Sequence, residues 1–196
     1  DEIFAELEGT DSRPTPVRTA HNRIFEGPTR TVVENEDRYL TEYLGERAVE
    51  FVTRNAASDT PYFLYAAFTA PHTPLQATRE DYDALPFITD QTLRVYAAMI
   101  RSLDRNIGRV LQALRDQGVE QNTLVIFTSD NGAPHYIDLR DRNAPLRGWK
   151  ATYFEGGIRV PLLMRWPAGL PADRRVSGMA AHFDIFATIA AAAGQP

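Results

Sequence analysis

Residues 123–134 read TLVIFTSDNGAP, and the reading of this stretch decides the fold. A mostly apolar, largely β-branched run ends abruptly in Asp130-Asn131-Gly132, which is the pattern of a strand stopped by turn chemistry. Upstream, Leu93, Tyr96/Ala97, Ile100, Leu103, Ile107, Val110/Leu111 and Leu114 recur at helical spacing, which predicts a long helix over 90–117 stopped by Gly118. Before it, YFLYAAF (62–68) is a continuous apolar and aromatic run that predicts a buried strand, and 39–55 predicts a helix with Thr41 as a possible cap. Downstream, a polar loop over 131–150 leads to a further strand, VPLLMRW (160–166), and to a helix starting near Asp184. Helices alternating with strands argue for an α/β domain with a mostly parallel sheet flanked by helices. Residues 1–38 show no period and read as an irregular lead-in, with the domain proper over 39–196.

Composition narrows the function. The 196 residues are 43% hydrophobic and 24% charged, the profile of a globular chain with a core of ordinary size. A net charge of −5 supplies no basic field for nucleic acid, so an anionic substrate has to be held by local cations or a metal ion. No apolar run is long enough to span a bilayer, and the acidic start DEIFAELEGT is unlike a signal peptide. The absence of cysteine excludes disulfides, thiolate metal sites and a cysteine nucleophile within this sequence. Without an initiating Met, and ending at AAAGQP straight after a helical pattern, the sequence reads as a fragment.

Ligands of such sheets sit beyond the carboxyl ends of the strands, and polar clusters fall at those ends. Asp130 and Asn131 place a carboxylate and an amide carbonyl side by side, hard oxygen ligands suited to Ca²⁺ or Mg²⁺; Asp-Asn-Gly is equally good turn chemistry. His72, between Pro71 and Pro74, can donate to an anionic oxygen or act as a general acid, or can simply be an exposed loop histidine. In PLRGWKATYFEGGIRVP (145–161), Arg147, Lys150 and Arg159 can bind a sulfate or phosphate group; the bland alternative is a surface loop with a salt bridge to Glu155. His182 and Asp184 form a further pair, with Asp184 most simply a helix cap. Asp104, at the edge of the long helix's stripe, reads as a structural ion-pair partner.

In order along the chain, PYFLYAAFTAPHTP, YAAMIRSLDRNIGRVLQALRDQG, NTLVIFTSDNG, LRGWKATYFEGGIRVPLLMRWPAGL and HFDIFATIAAAAG resemble the sulfatase family from Tyr39 to the C-terminus. The resemblance implies an alkaline-phosphatase-like fold, incomplete at its N-terminal side, and hydrolysis of sulfate esters of sugars or aryl alcohols. It implies that Asp130 and Asn131 ligate a divalent ion, usually Ca²⁺ with Mg²⁺ as the alternative, and that His72 and Lys150 contact the sulfate and assist the leaving group. His182 matches a family histidine near the substrate pocket. The implied partner is a sulfated small molecule or carbohydrate, with no nucleic acid, and family members are commonly exported to the periplasm or the cell exterior. Nothing in the pattern specifies an oligomer.

The family nucleophile is a formylglycine made from Cys or Ser in a Cys/Ser-x-Pro-x-Arg motif. Ser12-Arg13-Pro14-Thr15-Pro16 has Pro16 where that Arg is required, so the motif is absent, as are the paired aspartates that complete the metal site. The expectation is therefore the later portion of a sulfatase catalytic domain, inactive by itself. Alternatives are a phosphonate or phosphodiester hydrolase of the same superfamily and a noncatalytic binding remnant.

Overall fold

The computed structural model describes residues 2–4, 24–33, 38–135 and 141–194. Their element order is β1 (Glu2–Phe4), β2 (Ile24–Glu26), β3 (Thr31–Val33), α1 (Leu40–Ala56), β4 (Gln76–Thr78), α2 (Arg79–Asp83), α3 (Gln91–Asp116), β5 (Val125–Thr128), α4 (Glu155–Ile158), β6 (Leu162–Arg165) and α5 (His182–Ala192). The chain is mixed α/β, with α3 as its longest element.

The long helix forms where its sequence dictates. Asp90 Oδ1 accepts the Leu93 N–H at 2.7 Å and so caps one of the orphan donors at the helix start. Gly118, at φ +71°, turns the chain away at the other end in a conformation that costs glycine nothing. Thr41 does not cap α1: the cap position is Tyr39, and Thr41 lies buried inside the first turn.

The fully buried positions of α3 meet its apolar stripe only at Leu114, while Leu93, Tyr96, Leu103, Val110 and Leu111 of the stripe pack half-buried on the apolar clusters. Val95, Ala98, Met99, Ser102, Asn106 and Ala113 are the buried positions, along with Leu114. One apolar cluster joins Val95, Ala98 and Met99 to Ala70, Leu75 and Ala77. A second joins Val52 of α1 to Ala113 and Leu114. The stripe itself, including Ile100, Leu103, Ile107 and Leu111, lines an open groove of about 1640 Å³.

Away from that second cluster, the contacts between the helices are polar. A Cβ on Gly45 of α1 would stand 2.0 Å from Asn106 Oδ1, so the helices meet at a distance that only glycine permits. Beside this contact Arg105 of α3 bonds Asp81 of α2, with Nη2 at 2.9 Å from Oδ2, and also pairs with Glu42 of α1. Arg101 adds a second partner for Asp81, and Thr78 Oγ1 donates to Asp81 Oδ2 at 2.8 Å. Asp81 is fully buried. Burial alone pushes its carboxyl up, but the bonds from Arg105, Thr78 and Arg101 outweigh this and hold it below the ordinary aspartate range. Glu42 is likewise pushed up by burial and brought down further by Arg105, Asn106 and Ser102. Asp104, read from sequence as the ion-pair partner, is exposed and takes no part in this network.

The strands correct the parallel-sheet expectation. Among the described residues every pair is antiparallel: β1 with β4, β2 with β3, and β5 with β6. β5 and β6 run antiparallel, pairing Val125 with Arg165 and Thr128 with Leu162. The run 62–68 is not a buried strand: it has no ladder partner among the described residues, and Phe63 and Tyr65 are 67% and 80% exposed. Its apolar pattern suits two covered faces, and only Leu64 packs on a described core cluster. Within the lead-in, 24–33 form a hairpin rather than irregular chain, with Gly27 at φ +69° in its turn. Ser12 lies outside the described residues. Among the described residues no helix is long and apolar enough to cross a membrane.

Because Asp81 and Glu42 titrate below their unfolded values, their contribution to stability is full above about pH 5 and is lost as the pH falls below about 4. Replacing Arg105 with Met leaves a buried carboxylate short of its main partner and should cost about 3 kcal/mol. Urea unfolding followed by helical circular dichroism at pH 7 and pH 4 measures both: the variant's deficit should shrink at the lower pH.

Candidate functional site

At one end of the groove, three loops converge. The first carries His72, and the turn that holds it is closed by a bond from His72 N–H to Thr69 O at 2.9 Å. His72 Nδ1 lies 2.8 Å from Thr73 O. A carbonyl only accepts, so Nδ1 donates to it, and in the tautomer protonated there alone Nε2 presents a lone pair on the other side of the ring.

Lys150 meets that lone pair. Its Nζ lies 3.0 Å from His72 Nε2, across 78 positions of sequence. The ammonium retains two further N–H donors for an anion. The pair stands on the groove lining, as do Asp130 and Asn131.

The turn after β5 is built from its own side chains. Asp130 Oδ1 accepts the Asn131 N–H at 2.9 Å, which leaves Oδ2 without a partner among the described residues. Asn131 Nδ2 donates to Gly132 O at 2.9 Å, so its Oδ1 is similarly left open. One carboxylate and one amide oxygen fit a hard divalent cation, which needs six to eight oxygens in the case of Ca²⁺. They supply two of these, and among the described residues no group of three or more His, Cys, Asp or Glu could hold a metal.

His182, at the start of α5, lies behind this turn. Its Nε2 is 2.9 Å from Ser129 O and therefore donates to it, one residue before Asp130. That backbone contact is where the structure places His182; it is not on the groove lining with His72 and Lys150. Asp184 is not the cap residue of α5 but sits three positions in, where Oδ2 accepts the Ala181 N–H at 2.8 Å.

Glycines let the loops lie on one another. A Cβ on Gly132 would stand 1.8 Å from Gly156 O, and one on Gly156 would stand 2.2 Å from Gly148 O. In their absence Gly132 N–H donates to Gly157 O at 3.0 Å, Gly156 N–H to Arg147 O at 2.7 Å, and Lys150 N–H to Ala133 O at 3.2 Å. The turn bearing Asp130 and the loop bearing Lys150 are thus joined backbone to backbone. The other candidate cations have partners of their own: Arg147 stacks on Phe154, 3.9 Å from the ring centre, and Arg159, which also stands on the groove lining, pairs with Glu155 at 3.3 Å.

Sequence reasoning missed Asn143. Its side chain bonds Ala133 and Gly148 in the heart of this junction. An Asn two residues before a proline carries no signal that separates it from an ordinary turn residue.

The family model described as Sulfatase matches residues 5–195. The N-acetylgalactosamine-6-sulfatase of Canis lupus familiaris is 35% identical over 158 residues, covering 79% of this chain and 29% of that protein. A protein of Formosa agariphila named Sulfatase is 34% identical, over 87% of this chain and 33% of its own length. This chain therefore spans about a third of the curated relatives it matches. The crystal structure of Ps i-CgsB in complex with k-i-k-neocarrahexaose superposes with a TM-score of 0.79 at 38% identity, over 85% of this chain and 36% of that one.

Gly132→Ala forces a methyl group into the Gly156 carbonyl and should cost about 1–3 kcal/mol. Gly108→Ala, on α3 with open space around it, should instead stabilise by about 0.5–1 kcal/mol. Paired urea titrations of the two variants give the opposite signs directly, and equal effects would contradict the close packing.

Proposed function

Because this chain belongs to the sulfatase family, we propose that it is the later part of the catalytic domain of a sulfuric ester hydrolase acting on sulfated carbohydrates. The observation that carries this is the His72–Lys150 pair, held at 3.0 Å on the same groove lining as Asp130 and Asn131. A cationic donor with a fixed orientation, set beside open hard oxygen ligands, suits a substrate whose negative charge grows on nonbridging oxygens and on the departing alkoxide.

In this reading Asp130 and Asn131 hold a divalent cation, Ca²⁺ being the preferred ion, and the bound ion supplies polarisation of the sulfuryl oxygens. The remaining ligands and a formylglycine nucleophile come from outside this sequence, which has no cysteine. Lys150 donates to a sulfuryl oxygen or to the leaving oxygen with the N–H groups not used by His72. Neutral His72 fixes that ammonium through Nε2 while Thr73 O fixes the ring through Nδ1. His182 steadies the Ser129 carbonyl and, through it, the Asp130 turn.

The groove belongs to the same proposal. The apolar stripe of α3 and the unpaired run 62–68 both border it, and relatives are about three times as long. The rest of the domain would cover that apolar surface and complete the sheet on the N-terminal side. The carbohydrate assignment draws on two relatives, one named for N-acetylgalactosamine-6-sulfate chemistry and one crystallised with a neocarrahexaose.

The test is turnover by the full-length protein of sulfated saccharides and aryl sulfates, before and after chelation, beside matched phosphate esters. Sulfate release should depend on a divalent cation and fall about 10²–10³-fold in Asp130→Ala and in Lys150→Ala. Cleavage of the phosphate esters with no release of sulfate would reject the reading in favour of a phosphoesterase.

A further inference from the structure

Between the turn that carries Asp130 and the loop that carries Lys150 stands one carboxamide. Asn143 Oδ1 accepts the Ala133 N–H at 2.8 Å. Its Nδ2 donates to Ala133 O at 2.9 Å and to Gly148 O at 3.2 Å. Ala133 is three residues after Asp130, and Gly148 is two residues before Lys150. Beside it the rings of His135 and Trp149 lie 4.3 Å apart between the same two segments, a contact without the amide's directionality.

The geometry uses every feature of an amide. Its single oxygen faces an N–H, and its two N–H groups face two carbonyls, so the reversed orientation would set like against like at all three contacts. The Ala133 carbonyl receives the Lys150 N–H as well, at 3.2 Å, which fills both of its lone pairs. Lys150 is therefore tethered to the same oxygen that Asn143 grips. The backbone bonds from Gly132 and Gly156 hold the glycine pair in place, but neither reaches Gly148 O or the Ala133 amide. The main-chain ladder alone leaves those groups unpaired, and Asn143 answers both.

We propose that Asn143 is a positioning residue of the reaction: by clamping Ala133 to Gly148 it fixes Lys150 relative to Asp130 and Asn131. The inference rests on the sulfatase reading above and extends it to a residue of the groove lining whose three bonds all go to backbone atoms. Its chemistry predicts a signature that volume alone does not. Asn143→Asp keeps the size and the bond to the Ala133 N–H, but turns a carboxylate oxygen toward two carbonyls. It should fail as fully as Asn143→Ala.

Two measurements test this. In the full-length protein, turnover of phenyl sulfate and of 4-nitrophenyl sulfate is compared within each preparation, so the fraction of folded enzyme cancels. If Asn143 aims the donor that assists departure, kcat falls about 10–100-fold for the poor leaving group and much less for the good one, with KM little changed. Equal losses on both substrates, or none, overturn the proposal. In the present chain, amide hydrogen exchange at Lys150 should accelerate about tenfold in both variants, and at Ala133 in Asn143→Ala, while the amides of α3 keep their protection. Unchanged exchange at Lys150 overturns the clamp whatever the activity. Should Asn143→Ala lose the α3 protection as well, Asn143→Asp carries the same test with the volume preserved. A full-length wild type that releases no sulfate sinks the sulfatase reading and the catalytic role with it, and the exchange data then decide the clamp alone.

Discussion

A fully buried aspartate has to be matched by charge, and Asp81 is matched by α3. Two arginines one turn apart on that helix, Arg101 and Arg105, reach it, while Arg105 and Arg109 reach Glu42 on α1. One face of α3 thereby fixes both neighbouring helices. An unpaired carboxylate in that position would be far costlier than any single apolar contact around it. The consequence for the site is geometric. Ala70 and Leu75, which bracket His72, pack on Val95, Ala98 and Met99 of the same helix. The His72 loop is held by apolar burial on a helix whose placement is electrostatic.

That division explains what could be read in advance. The span of α3 followed from its period and from Asp90 and Gly118 at its ends, because caps are local chemistry. Which side of α3 would be buried did not follow. The apolar stripe was visible, yet among the described residues only its Leu114 is fully buried, the contacts of Gly45 and Glu42 fall on the side bearing Ser102 and Asn106, and most of the stripe borders the groove. Hydrophobic periodicity reports that a face wants cover; it does not report which element supplies it. The same holds for 62–68, whose pattern fits a covered strand and which has no ladder partner among the described residues.

The site divides along a similar line. His72 and Lys150 lie 78 positions apart, and no local rule joins them; only the order of motifs along the chain did. Gly132 was legible as turn chemistry only, whereas the structure uses it, with the glycines at 148, 156 and 157, for close backbone approach. Asn143 was not legible, because its three bonds are to backbone atoms, which carry no side-chain signature in the sequence.

The Asp-Asn-Gly triplet poses turn and ligand as rivals, and the geometry dissolves the rivalry. Asp130 spends Oδ1 on the next backbone N–H and Asn131 spends Nδ2 on the next carbonyl, which is turn chemistry. Each bond uses the half of the side chain that a cation would not need. What remains is Oδ2 of one residue and Oδ1 of the other, both already immobilised by the turn. A ligand fixed before the ion arrives loses little conformational freedom on binding. The same economy recurs at His72, where Thr73 O takes Nδ1–H and thereby commits Nε2 to Lys150. In both loops the local bond that closes the turn also selects which atom faces the groove. Under the proposed function, the oxygens left open at this strand end stand on the groove lining with Lys150, whose backbone the same turn helps to hold.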